Sequence, residues 1–119
     1  MINKPFTSAA YFAAKSSLKL EEVCQALQAE YNLSPFVLEA EDDFQYGWAA
    51  TSGIKFNVTM TQDYQLIHSW MSQAPKNVNY QIIFEFDSSD HNEEDKTIEE
   101  IRLSLKRIFD NDVSHYHTL

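Results

Sequence analysis

The chain has 119 residues, 44% of them hydrophobic and 13% aromatic, and a net charge of −9 at pH 7. That length makes one domain, 1–119, with aromatic content sufficient for a core, and only 2 Gly and 3 Pro argue against a disordered or low-complexity chain. The acidic balance argues against nucleic acid and anionic membrane as direct partners, because both attract a cationic surface.

The lone Cys24 leaves no intramolecular disulfide. The first residues carry no apolar run of signal-peptide type, and no apolar run approaches the roughly 18–20 residues that span a bilayer. A reducing, cytoplasmic setting is therefore expected.

In chain order, residues 6–15 are expected to form a short strand ending at Ser16 and Ser17. A helix over Leu20–Tyr31 follows, because Leu20, Val23, Cys24, Leu27 and Tyr31 recur at helical spacing. Glu21 and Glu22 occupy its first turn, Asn32 suits a left-handed stop, and Pro35 prevents continuation. Residues 36–42 read as a second strand, with Phe36, Leu38 and Ala40 opposed to Val37, Glu39 and Glu41. Residues 46–51 and Ile54–Met60 read as a hairpin around Ser52 and Gly53.

Residues 63–72 are expected to form a short helix capped by Asp63, with an extended segment over Tyr64–Trp70 as the alternative. The clearest alternation lies in residues 78–87, where Val78, Tyr80, Ile82, Phe84 and Phe86 share one face. Only Ile83 breaks the polar character of the other face. Residues 88–96 read as an exposed polar loop. Thr97-Ile98-Glu99-Glu100 matches a capping box for a last helix carrying Ile98, Ile101, Leu105 and Ile108 on one face. The tail 111–119 is expected to be loosely held. The order is β-α-β-β-β-α-β-α, a two-layer α+β sandwich in which a mostly antiparallel sheet of about five strands is covered on one face by helices.

Chemical motifs are sparse. Glycines at 47 and 53 alone give no phosphate loop, and neither Cys-x-x-Cys nor His-Glu-x-x-His occurs. Cys24 lies on an apolar helix face, which suits a buried thiol rather than a nucleophile. His115 and His117 in the tail lack the rigid geometry a metal site needs. The oxygen-rich run from Asp87 fails the calcium-loop pattern, which requires Gly sixth and Glu twelfth. Glu39, Glu41 and Glu85 are expected to face solvent rather than a setting that shifts a carboxyl pKa. No catalytic, cofactor or metal residue is assigned, and the chain is not expected to be an enzyme.

The acids themselves are unevenly placed. Ten of the 18 fall in two short stretches, Glu39, Glu41, Asp42 and Asp43, then Glu85, Asp87, Asp90, Glu93, Glu94 and Asp95, and no Lys or Arg interrupts either. Phe44, Tyr46 and Trp48 follow the first stretch directly. If both stretches lie at the same end of the sheet, their charges sum into one patch that steers a basic partner, with the aromatics as anchors. These residues are the candidate partner-binding set. The bland alternative is a solvated acidic face with the aromatics in the core.

A small, acidic, single domain without a catalytic motif and with aromatics beside its acids resembles bacterial immunity proteins. The resemblance covers general character and includes no signature motif, so it assigns no residue a role. It implies a binding protein that neutralises a cognate toxin domain, often a basic nuclease, by occluding its active site. Two other classes remain open. One is a small-molecule-binding or enzymatic domain with a cleft lined by Tyr64, His68 and Trp70. The other is a self-associating adaptor that pairs through a sheet edge.

Overall fold

The computed structural model describes residues 6–51, 53–70, 77–109 and 113–118. The elements are β1 (Ser8–Ala14), α1 (Leu20–Tyr31), β2 (Val37–Ala40), β3 (Gln45–Thr51), β4 (Ile54–Met60), α2 (Tyr64–Trp70), β5 (Tyr80–Phe86), α3 (His91–Phe109) and β6 (Val113–Thr118). The strands form one six-stranded sheet in the order β2-β3-β4-β5-β1-β6, with every neighbouring pair antiparallel.

The alternation that defines β5 places it inside the sheet, between β4 and β1. Register then sets the core in rungs. Ile82 stands between Val58 and Phe12, and Phe84 between Phe56 and the small Ala10. The apolar faces of α1 and α3 close over these rungs, bringing Val23, Leu27, Ile101, Leu105 and Phe109 into the same buried cluster. Across the two helices, the Glu30 carboxylate accepts hydrogen bonds from Ser104 and Arg107. The fold is therefore a two-layer α+β sandwich. A second, smaller cluster joins Ile67 of α2 to Ala13 and Val78, with Trp70 and Tyr116 packed against it. Ala13 alternates with Phe12 and Ala14, so α2 covers one corner of the face turned away from the main core.

Local signals act where the sequence places them. Asn32 ends α1 in the left-handed region at φ 53°, and Asp63 Oδ1 accepts the backbone N–H groups of Gln65 and Leu66 at the start of α2. Gly53 turns the β3–β4 hairpin at φ 89°, a conformation that glycine adopts without strain. Its neighbour Ser52 and the expected end of the short helix, 71–72, lie outside the described residues.

Two expectations are corrected. The tail is not loose, because Val113–Thr118 forms an edge strand on β1, with a register shift between Tyr11 and Phe12. Val113 is buried there, and Tyr116 meets Tyr11 edge-on at 6.1 Å. The last helix also starts at His91, so most of the expected loop 88–96 is helical. Its cap is Asp90, whose Oδ1 accepts the Glu93 N–H at 2.8 Å, while Glu93 and Glu94 lie in the first turn, where the helix dipole favours acids. The Thr97–Glu100 pattern therefore sits inside the helix. With β6 the sheet has six strands where about five are expected.

Burial also sets an alkaline limit on stability. It pushes the Cys24 thiol up to about 12 from 9.0, and it raises the phenols of Tyr80, Tyr31 and Tyr116 above 10.0. An acid whose folded pKa is raised contributes full stability below its unfolded pKa and loses it as pH rises toward the folded value. Unfolding free energy is therefore expected to stay level up to pH 9 and to fall from pH 9 to 12, as read by urea titration. A rise in stability across that window would contradict the burial of these groups.

Candidate binding surface

The face of the sheet opposite α1 and α3 carries Glu39, Tyr46 and Trp48 of the candidate set. One rung runs Val37, Trp48, Asn57, Ile83, Tyr11 across five strands. The next runs Glu39, Tyr46, Thr59, Gln81, Ala13. Among the described residues no helix covers the β2–β3 side of this face, and Trp48 remains 41% exposed. Ile83, the mismatch in the β5 pattern, sits half-buried on this face between Asn57 and Tyr11.

The first acidic stretch and the aromatics come together. Tyr46 donates its hydroxyl to the Glu39 carboxylate across the β2–β3 pair, and that bond raises the Tyr46 pKa. Phe44 lies 5.9 Å from the Tyr46 ring and meets Trp70 edge-on at 5.2 Å, so it bridges β3 to α2. Glu41, Asp42 and Asp43 form the β2–β3 turn, where Asp43 O accepts the Thr61 hydroxyl at 2.6 Å. Beside them is an open groove of about 330 Å³ lined by Glu41, Asp42, Asp43, Phe44, Thr61 and Asp63, among others. Asp63 thus adds a carboxylate that its chain position, remote from the first stretch, does not reveal.

The second acidic stretch lies elsewhere. Glu41 shares a rung with Phe44, and register carries that rung to Thr61 and Asn79, whereas Asp87 follows the opposite end of β5. Eight residues of extended chain separate Asn79 from Asp87, about 25 Å at the usual strand rise of ~3.3 Å per residue. That exceeds the Debye length of about 8 Å at physiological salt, so the two stretches do not add into one patch. The condition for a single patch is not met.

Members of the second stretch have local partners. Glu85 stands directly opposite Lys55, whose Nζ lies 5.5 Å above the Trp48 ring. Asp87 accepts the Thr7 N–H at 3.1 Å, Glu94 accepts the Ser8 hydroxyl at 2.6 Å, and Glu93 accepts the Ser89 hydroxyl. With Asp90 as the cap of α3, these contacts fasten the β5–α3 turn to the start of β1.

The buried cluster occupies the space between the centre of the sheet and α1 and α3, and Trp70 packs on Phe44 and the second cluster rather than lining a cleft there. His68 is half-buried on α2, and the Tyr64 side chain lies outside the described residues. Among the described residues no three His, Cys, Asp or Glu side chains gather as metal ligands, and no helix is long and apolar enough to cross a membrane. Cys24 is buried, and a thiol held at about 12 stays protonated near neutrality. At pH 8 iodoacetamide is expected to label Cys24 only slowly in the native protein and rapidly in urea; equal rates would contradict the burial.

No protein-family model and no curated protein sequence matches the chain.

Proposed function

We propose that the chain is a non-enzymatic binding protein that neutralises a basic, nuclease-type bacterial toxin domain, using the acidic end of the open sheet face as its contact surface. The supporting observation is the gathering of Glu39, Glu41, Asp42 and Asp43 with Phe44, Tyr46 and Trp48 on one side of the β2–β3 hairpin. On this reading the carboxylates speed and orient the encounter with a cationic cleft, occupying the positions of nucleic-acid phosphates. Half-exposed aromatic rings then supply the packed contact. The second acidic stretch stays outside the interface, because its carboxylates serve the helix cap and the β5–α3 turn.

The test is affinity for the basic domain encoded beside this chain. Asp42→Lys with Asp43→Lys is expected to weaken binding roughly tenfold or more and to reduce its salt dependence. Glu93→Lys with Asp95→Lys is expected to change affinity by less than about twofold, as for charges outside an interface. If the first pair leaves affinity and salt dependence unchanged, the proposed mechanism fails. If the second pair has the larger effect, the surface has been placed at the wrong end of the sheet.

A further inference from the structure

The acidic end of the open face borders the β2 edge of the sheet. Among the described residues β2 pairs only with β3, and all four of its residues are exposed, Val37 at 42% and Leu38 at 44%. We propose that this edge takes an extended, basic segment of the partner as a seventh strand. The proposal rests on the binding-protein reading above and names the segment and its mode of attachment.

The backbone direction follows from one hydrogen bond. Glu41 N–H donates to Phe44 O at 2.8 Å, in the same register that pairs Ala40 with Gln45, Glu39 with Tyr46, Leu38 with Gly47 and Val37 with Trp48. Hydrogen-bonded and non-hydrogen-bonded pairs alternate along an antiparallel ladder. Glu39 and Val37 therefore turn their backbone groups toward β3, while Leu38 and Ala40 turn theirs outward. Two N–H and two C=O groups stand in line at the edge, the pattern an added strand completes.

The two sheet edges differ. β6 carries an irregular register against β1, and such a bulge discourages further pairing. β2 runs in regular register and holds neither Pro nor Lys within its span, so its one charged side chain is Glu39. Side-chain space exists on both faces. Leu38 and Ala40 border a depression of about 200 Å³ shared with Leu20, Glu21 and Gln45, placed to take one side chain of an added strand. On the other face Val37 and Glu39 lie beside Trp48 and Tyr46, placed to take an apolar and a cationic one.

Charge selects the occupant. A second copy paired antiparallel about Glu39 would set that carboxylate against its own image with no cation to meet it, and like charges directly opposed destabilise a strand pair. A segment rich in Lys or Arg meets Glu39 and the adjoining Glu41, Asp42 and Asp43 favourably.

The probe is a synthetic peptide of about seven residues alternating Val and Lys, the length of an ordinary strand, with a Val–Glu peptide as control. Amide hydrogen exchange followed by NMR is expected to slow roughly tenfold or more at Leu38 and Ala40 when the Val–Lys peptide binds, with no change for the control. Ala40→Pro removes an outward N–H without touching the β2–β3 ladder, a position where an edge strand tolerates proline. It is expected to weaken the peptide roughly tenfold while leaving the thermal midpoint within about 2 °C of wild type. Absence of binding, or binding without protection at Leu38 and Ala40, overturns strand addition. If Asp42→Lys with Asp43→Lys still weakens the peptide in the latter case, the acidic surface survives and only the strand is lost. If neither substitution matters, both proposals fail. Sedimentation of the protein alone completes the test: a dimer that Ala40→Pro converts to monomer would assign the edge to a second copy and overturn the basic occupant.

Discussion

Phe84→Ala is expected to lower unfolding free energy by about 3–5 kcal/mol, a large fraction of the roughly 5–15 kcal/mol that holds a domain folded. Phe84 is buried at the centre of the main cluster, with ring centroids 4.8 Å from Phe56 and 5.0 Å from Phe86. Its partner across β1 is Ala10, which is too small to fill the space the ring would leave. The cavity term therefore adds to the lost transfer energy. The neighbouring Ile83→Ala supplies the internal control. Ile83 is half-buried on the open face, so its truncation is expected to cost about 1 kcal/mol or less. Urea midpoints of the two variants measure the contrast. Comparable losses at the two positions would mean that the open face is covered as firmly as the core.

That contrast was legible in the chain, because the two-residue period of β5 separates Phe84 from Ile83 with no knowledge of the fold. The bounds of α1 and β4 emerge equally well, since each joins a regular apolar period to a local stop, Asn32 or Gly53. The start of α3 was hidden by its composition. A polar run resembles a loop, and the one residue that starts the helix, Asp90, is a single acid among many. β6 was hidden by distance. His115 and Tyr116 look like polar tail until β1, about a hundred residues earlier, offers its edge. The candidate surface divided in the same way. Adjacency in the chain correctly joined Asp42 and Asp43 to Phe44 and Tyr46. Whether two remote stretches share an end of the sheet depends on strand direction and order, and alternation carries no information on either. The same limit concealed Lys55, which faces Glu85 only through the β4–β5 register.

Asn79 is another residue whose role alternation does not reveal, and its replacement is the second large effect. Its Oδ1 accepts the Ser16 N–H at 2.9 Å, and its Nδ2 donates to Ser16 O at 2.8 Å. Its own N–H donates to Ala14 O at 3.0 Å, and its carbonyl accepts from Thr61 N at 3.1 Å. One 7%-exposed amide thus ties the start of β5 to the end of β1, to the connection into α1 and to the exit of β4. Ser16 in turn holds the Leu18 N–H through its Oγ, while Tyr80 donates its hydroxyl to Leu18 O at 2.6 Å. Asn79→Ala leaves both backbone groups of Ser16 without these partners and is expected to cost about 2–4 kcal/mol. Asn79→Asp separates the two bonds. A carboxylate still accepts from Ser16 N–H, but in place of the amide donor it sets an oxygen against Ser16 O. The Ser16 N–H favours the charged form, but burial and the opposed Ser16 O both favour the protonated acid, so the folded pKa of the new carboxyl is expected to lie above its unfolded value of about 3.9. A raised folded pKa gives stability that is present below the unfolded pKa and lost as pH rises through the folded one. The stability deficit of Asn79→Asp relative to wild type is therefore expected to be smaller at pH 4 than at pH 7 in urea titrations. A deficit that shrinks as pH rises would mean that the amide nitrogen of Asn79 does not hold Ser16 O.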